Sequence, residues 1–186
     1  MVDSEKVPKL PKEEIKRIAL AGEIILVSSY GFELLEQQIQ QTRDDYDSLT
    51  RKMGEVARED PDLPENTEFK EIKTKLQFEL PRRMDDLLRK KVKAIPFSEE
   101  AQEGLIGFGT SFKAKVDYPG QSEEGQFVLL GPIEAAVKGD YMGSNVISYL
   151  SPMGRALWGV SIKGNQEVVF DTPGGKVKCT ITKILQ

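Results

Sequence analysis

The sequence predicts an α+β protein, in which an N-terminal antiparallel α-helical coiled-coil hairpin is followed by an α+β domain with an antiparallel sheet. Three observations carry this: a heptad run over 32–56, a proline-broken acidic turn just after it, and period-two alternation in the last third of the chain. The expected divisions are 1–27 as an N-terminal extension, 28–95 as a coiled-coil finger with its acidic tip at 59–68, and 96–186 as the C-terminal domain.

In the extension, Pro8 and Pro11 keep the start non-helical and 12–21 has the composition of a short helix. From residue 29 the pattern changes. Phe32, Leu35, Ile39, Thr42, Tyr46, Leu49, Met53 and Val56 are separated by 3, 4, 3, 4, 3, 4 and 3 residues, an unbroken a/d series. Charged and amide side chains fill most positions between them, as a solvated helix surface requires. A helix over 30–59 would span ~45 Å at 1.5 Å per residue.

Asp60-Pro-Asp-Leu-Pro64 then breaks the helix. Pro61 pushes Asp60 out of the α region, and Pro64 suits only the first turn of a new helix. The second helix presents Phe69, Ile72, Leu76, Leu80, Met84 and Leu87, with Val92 as a further candidate. Its spacing slips by one residue near Leu80-Pro81, where a kink or stutter is expected. So short a connection makes the two helices an antiparallel pair.

Beyond residue 96, Ile106, Phe108, Phe112, Ala114 and Val116 mostly alternate around turns. Strands are expected over 126–130, 145–150, 167–170 and 177–184, with 171–175 as the hairpin joining the last two. One helix is expected, with Ser151 as N-cap, Pro152 at the first position, Met153, Ala156 and Leu157 inward, and Gly159 as the stop. Trp158 fits either the core or an exposed anchor, whereas Cys179, alternating with Val177 and Ile181, is expected to be buried and inert.

Composition narrows the chemistry. The formal charge is −4, so the chain as a whole is no electrostatic nucleic-acid binder. One cysteine excludes an internal disulfide and is compatible with a reducing compartment. The absence of histidine removes Ser-His-Asp and Cys-His catalysis and most zinc sites, leaving carboxylates as the metal ligands of interest. The apolar stretch 18–27, interrupted by Glu23, is shorter than the roughly 20 residues a membrane span needs. No membrane association and a cytoplasmic location are therefore expected.

Two segments carry more than pattern: Ala57-Arg-Glu-Asp-Pro-Asp-Leu-Pro-Glu-Asn-Thr-Glu-Phe69, and Val146-Ile-Ser-Tyr-Leu-Ser-Pro-Met-Gly-Arg-Ala-Leu157 followed by Thr172-Pro-Gly-Gly175. Together they resemble the GreA/GreB family of bacterial transcript cleavage factors, whose tip reads Asp-Leu-x-Glu-Asn-Ala-Glu-Tyr and whose C-terminal domain has Ser-Pro-x-x-x-Ala-Leu and Thr-Pro-x-Gly. The resemblance covers about 27–185. Departures are Pro61 for a glycine, Thr67 for alanine, Phe69 for tyrosine, and Asn165 where many relatives have aspartate. Residues 1–26 find no counterpart.

The resemblance implies a coiled-coil finger joined to an FKBP-like domain, acting as a monomer on backtracked RNA polymerase. The globular domain would dock at the rim of the secondary channel, with Ser151, Pro152 and Met153 on the polymerase-binding surface. The finger would reach the active centre and the 3′ end of the backtracked RNA. The functional tip acids fall on Asp62 and Glu65, and the RNA-side basic positions on Arg58 and Lys73. Cleavage by two metal ions uses one to activate water and the other to steady the leaving oxygen. Asp62 and Glu65 would supply hard oxygens to a Mg2+ ion shared with the polymerase active site, and the free protein would hold none. The chain would stimulate another protein's chemistry without being an enzyme itself.

Other readings stand beside this. Asp62-x-x-Glu65 also has the spacing of a capping box, with Asp62 as N-cap and Glu65 at the third helical position. However, Glu59, Asp60, Asp62, Glu65 and Glu68 crowd one loop, and a cap needs only one or two of them. Arg58 and Lys73 also fit solvated helix charges, and the basic run 89–93 fits a soluble face. At the level of function, a channel binder that inhibits polymerase is the alternative kept open by Asp60 and Pro61. A prolyl isomerase or chaperone would need a pocket lined by Tyr141, Tyr149 and Trp158.

Overall fold

A computed structural model describes residues 11–59, 65–98, 104–137, 141–162 and 165–185. The chain divides into two compact units, one made of Met1–Phe32 with Ala94–Gln186 and the other of Glu33–Lys93.

The second unit is the finger. Helix α2 (Ser29–Glu59) supplies one arm. The other runs through α3 (Thr67–Thr74), a π-helical segment (Lys75–Glu79) and α4 (Leu80–Lys93). Three cross-arm ion pairs give the direction: Glu36 with Lys91, Asp45 with Arg83 at 4.0 Å, and Lys52 with Glu68 at 2.6 Å. Numbers rise on one arm as they fall on the other, so the arms are antiparallel. The pairs are solvent-exposed and each contributes little; the seam does most of the holding. Val56, Ile72 and Leu76 form its buried cluster near the turn, with Leu49, Met53, Phe69 and Leu80 packed against it. Leu35, Ile39 and Leu87 are buried farther along. Thr42, the polar member of the heptad run, is buried too and donates its hydroxyl to the Gln38 carbonyl at 2.8 Å.

The stutter expected near Pro81 is the π-helical segment. Pro81 has no N–H to donate to the carbonyl four residues back, and its ring crowds that carbonyl. A wider turn takes up one extra residue, which matches the spacing of four between Ile72, Leu76, Leu80 and Met84. Tyr46 is a correction to the heptad reading: it is 44% exposed. It borders a shallow groove with Thr42, Leu80, Pro81 and Met84, where the changed phase of the opposite arm leaves its seam position uncovered.

The first unit holds a five-stranded sheet ordered β5-β4-β3-β7-β6, from β3 (Ser111–Tyr118), β4 (Gln121–Leu130), β5 (Asn145–Ser148), β6 (Gln166–Thr172) and β7 (Gly175–Leu185). The expectation of an antiparallel sheet needs one correction. Three pairings are antiparallel, but β4 and β5 are parallel. A parallel neighbour needs a crossover rather than a hairpin, and the stretch 131–144, containing helix α5 (Pro132–Ala135), supplies it. Helix α6 (Pro152–Leu157) follows β5, as the sequence predicts.

The larger correction concerns the N-terminal segment. From Lys12 onward it is part of the globular unit, not an extension from it. Helix α1 (Lys12–Leu20) buries Ile15 and Ala19, one helical turn apart, in the same core as Phe112, Leu157 and Ile181. Strand β1 (Ile25–Val27) pairs in parallel with β2 (Ala94–Pro96), just before α2 and just after α4. The compact units therefore divide after Phe32 and before Ala94, inside the expected 28–95 boundaries. Among the described residues no helix is long and apolar enough to cross a membrane.

Candidate functional site

The acidic turn of the finger is built from the end of α2 and the start of α3. Asp60 and Asp62 lie outside the described residues, so the placement of the first tip acid is not described. Glu59 closes α2 and is exposed. Glu65 is exposed and stands immediately before the cap of α3.

That cap is Asn66. Its backbone is extended (φ −71°, ψ 110°), and its side-chain oxygen accepts the Phe69 N–H at 2.9 Å. The Asn66 carbonyl accepts the Lys70 N–H at 3.2 Å. This corrects the capping-box reading. The described helix begins at Thr67, so Asp62 is not its N-cap and Glu65 is not its third residue. Asparagine is among the preferred N-caps, which was the signal available in the sequence. Glu65 thereby has no structural task among the described residues, where it makes no hydrogen bond or ion pair. Glu68 differs: it holds Lys52, and its hydrogen bond and charge push the Lys52 ammonium above its usual range.

The basic positions do not gather at one point. Arg58 is exposed in the last turn of α2, beside Glu59, where a cation also suits the negative helix end. Lys73 is exposed near the end of α3, six residues and so ~9 Å of helix past Thr67.

In the globular unit, the Ser151-Pro152-Met153 segment is largely occupied with folding. Ser151 Oγ accepts the Gly154 N–H at 3.0 Å and donates to the Ser148 carbonyl at 2.7 Å. Met153 is half-buried and packs on the core, while Pro152 is exposed. A Cβ on Gly154 would lie 2.0 Å from the Ser148 carbonyl oxygen, so the first turn of α6 rests directly on backbone. The exposed Arg155, which sequence reasoning left out, donates to the Leu150 carbonyl at 3.0 Å.

The three aromatic residues that an isomerase pocket would need do not line one together. Trp158 is a core residue, 5.2 Å from Tyr149 between ring centroids and beneath the Lys16 ammonium at 5.4 Å. Tyr149 is fully buried, and its hydroxyl accepts the Leu26 N–H at 3.0 Å. Burial pushes its phenol up to about 12. Tyr141 packs instead on Tyr30, 5.3 Å between centroids. Cys179 is buried, and burial pushes its thiol up to about 11, which makes it inert as expected.

Residues 102–186 match the family described as transcription elongation factor GreA/GreB, C-terminal. The transcription elongation factor GreA of Syntrophobacter fumaroxidans is 30% identical over 150 residues, covering 80% of this chain and 90% of that protein. GreA of Desulfotalea psychrophila is 35% identical over 135 residues, 72% of this chain and 77% of that protein. Among solved structures, the GreA factor homolog 1 protein of Thermus thermophilus is 25% identical, covering 88% of this chain and 99% of that one, with a TM-score of 0.36. The matches to full-length relatives span the finger as well as the globular unit, and on them the chain belongs to the GreA/GreB family of transcription elongation factors.

Proposed function

We propose that the protein stimulates the cleavage of backtracked RNA by RNA polymerase, entering the secondary channel with its finger and delivering Asp62 and Glu65 to the polymerase active centre. The observation that supports this most directly is the state of Glu65. Asn66 does the capping, so a tip carboxylate stands exposed without a partner among the described residues. A carboxylate retained for folding would be tied to the helix it starts.

Among the described residues no group of three or more His, Cys, Asp or Glu is placed to hold a metal ion. Glu65 fits as donor of one hard oxygen to an ion held mainly by other ligands, the usual situation for magnesium. Bound in the polymerase active centre, magnesium would lower the pKa of water and steady the leaving oxygen. The chain's own contributions are different. Asp62 and Glu65 orient or deprotonate the attacking water, and Arg58 and Lys73 neutralise phosphates of the displaced RNA 3′ end. Ser151, Pro152 and Met153 present the start of α6 to the polymerase. The protein acts as a monomer in the cytoplasm and has no turnover alone.

The test uses stalled, backtracked elongation complexes with magnesium. Adding the protein should accelerate release of short 3′ RNA fragments, and Asp62→Ala or Glu65→Ala should abolish this while polymerase binding persists. A wild-type protein that blocks cleavage and nucleotide addition alike would establish the inhibitor reading instead, which Asp60 and Pro61 keep open.

A further inference from the structure

A carboxylate that the acidic turn does not involve lies within the globular unit. Glu134, on α5, is 2% exposed. Its Oε1 accepts both the backbone N–H and the hydroxyl of Ser28, each at 2.7 Å. Ser28 Oγ in turn accepts the Gly31 N–H at 3.0 Å, and the Ser28 carbonyl accepts the Phe32 N–H at 2.9 Å. Ser28 is thus the N-cap of α2, and Gly31 is its third residue. In a capping box a Glu or Gln at that third position reaches back to the N–H of the cap. Here the third position is glycine, and the carboxylate comes from 106 residues away.

The glycine is there for that reason. A Cβ on Gly31 would stand 2.2 Å from Glu134 Oε1, so any side chain would evict the carboxylate. Gly131 makes a similar allowance, because its Cβ would stand 2.3 Å from the Leu26 carbonyl oxygen and 2.7 Å from Glu134 Oε2. Oε2 itself is buried without a hydrogen-bond partner among the described residues. A buried carboxylate with one bare oxygen is costly. The positive end of a 31-residue helix, focused on the N–H groups of Ser28 and Gly31, offsets that cost.

We propose that Glu134 is the positioning residue of the finger: from α5 it completes the cap at which α2 starts, and so fixes the number of helical turns between that start and the acidic turn. The functional consequence rests on the cleavage-factor reading above; the cap itself does not. Loss of the cap frays the first turn of α2, about 5.4 Å of helix, and so shortens the ordered helix that leads to the acidic turn.

The experiment compares full-length wild type with Glu134→Ala, Gly31→Glu and the double variant Gly31→Glu/Glu134→Ala, in which Ser28 regains a glutamate three residues on. Two quantities are read: amide hydrogen exchange at Ser28 and Gly31 in the free protein, and the cleavage rate of backtracked complexes at saturating factor. Glu134→Ala should speed exchange at both amides about tenfold or more, as expected for loss of hydrogen bonds to a charged acceptor, and should lower the saturated cleavage rate. Gly31→Glu alone should do the same through the clash, and the double variant should recover both readouts.

Unchanged protection in Glu134→Ala overturns the proposal, as does lost protection with an unchanged saturated rate. A double variant no better than the two singles combined overturns it too. If Glu134→Ala does not fold, a folded and protected double variant supports the cap, and an unfolded one overturns it. A wild-type protein that gives no cleavage sinks the cleavage reading alone, and the exchange rates still decide the cap.

Discussion

Asn66→Ala separates the folding role of the acidic turn from its chemical role. The change removes the side-chain oxygen that accepts the Phe69 N–H at 2.9 Å and leaves that donor without its partner at the first turn of α3. Loss of an N-cap costs about 1 kcal/mol, within a range of 0.5–2, which is about a fivefold change in the local open-to-closed ratio. Ile72 and Leu76 lie one and two turns on, in the buried seam cluster, so the fraying stays at the turn rather than unzipping the finger. Hydrogen exchange at the Phe69 amide, with urea unfolding of the whole chain, measures the effect. Asn66→Asp should retain protection, because it keeps the acceptor and adds a charge that suits the helix start. Glu65→Ala should change stability by less than about 0.5 kcal/mol, as a change at an exposed residue outside the cap does. If Asp62→Ala instead costs about 1 kcal/mol while Asn66→Ala costs nothing, Asp62 is the cap and the assignment of the turn is wrong.

Two further outcomes follow from the globular unit. Gly154→Ala should destabilise by about 1–3 kcal/mol, because its Cβ would meet the Ser148 carbonyl oxygen at 2.0 Å, and thermal unfolding of the variant measures it. Tyr149 sets an alkaline limit: burial pushes its phenol from the ordinary 10.0 up to about 12, so the fold favours the protonated form. That contribution is present in full below about pH 10 and is lost as pH rises through 10 towards 12. Tyr149→Phe should be less stable than wild type at neutral pH, since the Leu26 N–H loses its acceptor, but the gap should narrow across that window. Stability profiles that stay parallel from pH 8 to about 12 would contradict the assignment.

The finger was readable because one physical constraint dominates it. A two-helix seam needs an apolar stripe, and the run from Phe32 to Val56 keeps its spacing unbroken, with Thr42 as its polar member. Even the π-helical segment left a trace, in the spacing of four around Leu76 and Leu80. The exposure of Tyr46 departs from the heptad pattern because its burial depends on what the opposite arm presents, which no pattern on its own helix reports. The parallel pairing of β4 and β5 was hidden for a related reason: strand alternation is the same for either direction, and only the length of 131–144 hinted at a crossover. Helix α1 is legible as a helix in its sequence, but its membership of the core rests on contacts with α6 and the sheet across more than a hundred residues.

The turn shows the same division. Its acids are visible as composition, and the Asp-x-x-Glu spacing offers a capping box as an alternative reading, although Asn66 carries the hydrogen bond. The remote partner of Ser28 was beyond sequence reasoning altogether. A glycine at the third helical position reads as a weak helix residue until Glu134 is seen in the space it leaves.

The most direct test of the central claim is the rate of 3′ fragment release from backtracked RNA polymerase, measured with saturating wild-type protein and with Glu65→Gln, which keeps the shape of the side chain and removes its charge. Acceleration by the wild type is expected, and its loss in Glu65→Gln, with polymerase affinity retained. Equal acceleration by both proteins would contradict it, because a carboxylate at Glu65 would then contribute nothing to cleavage.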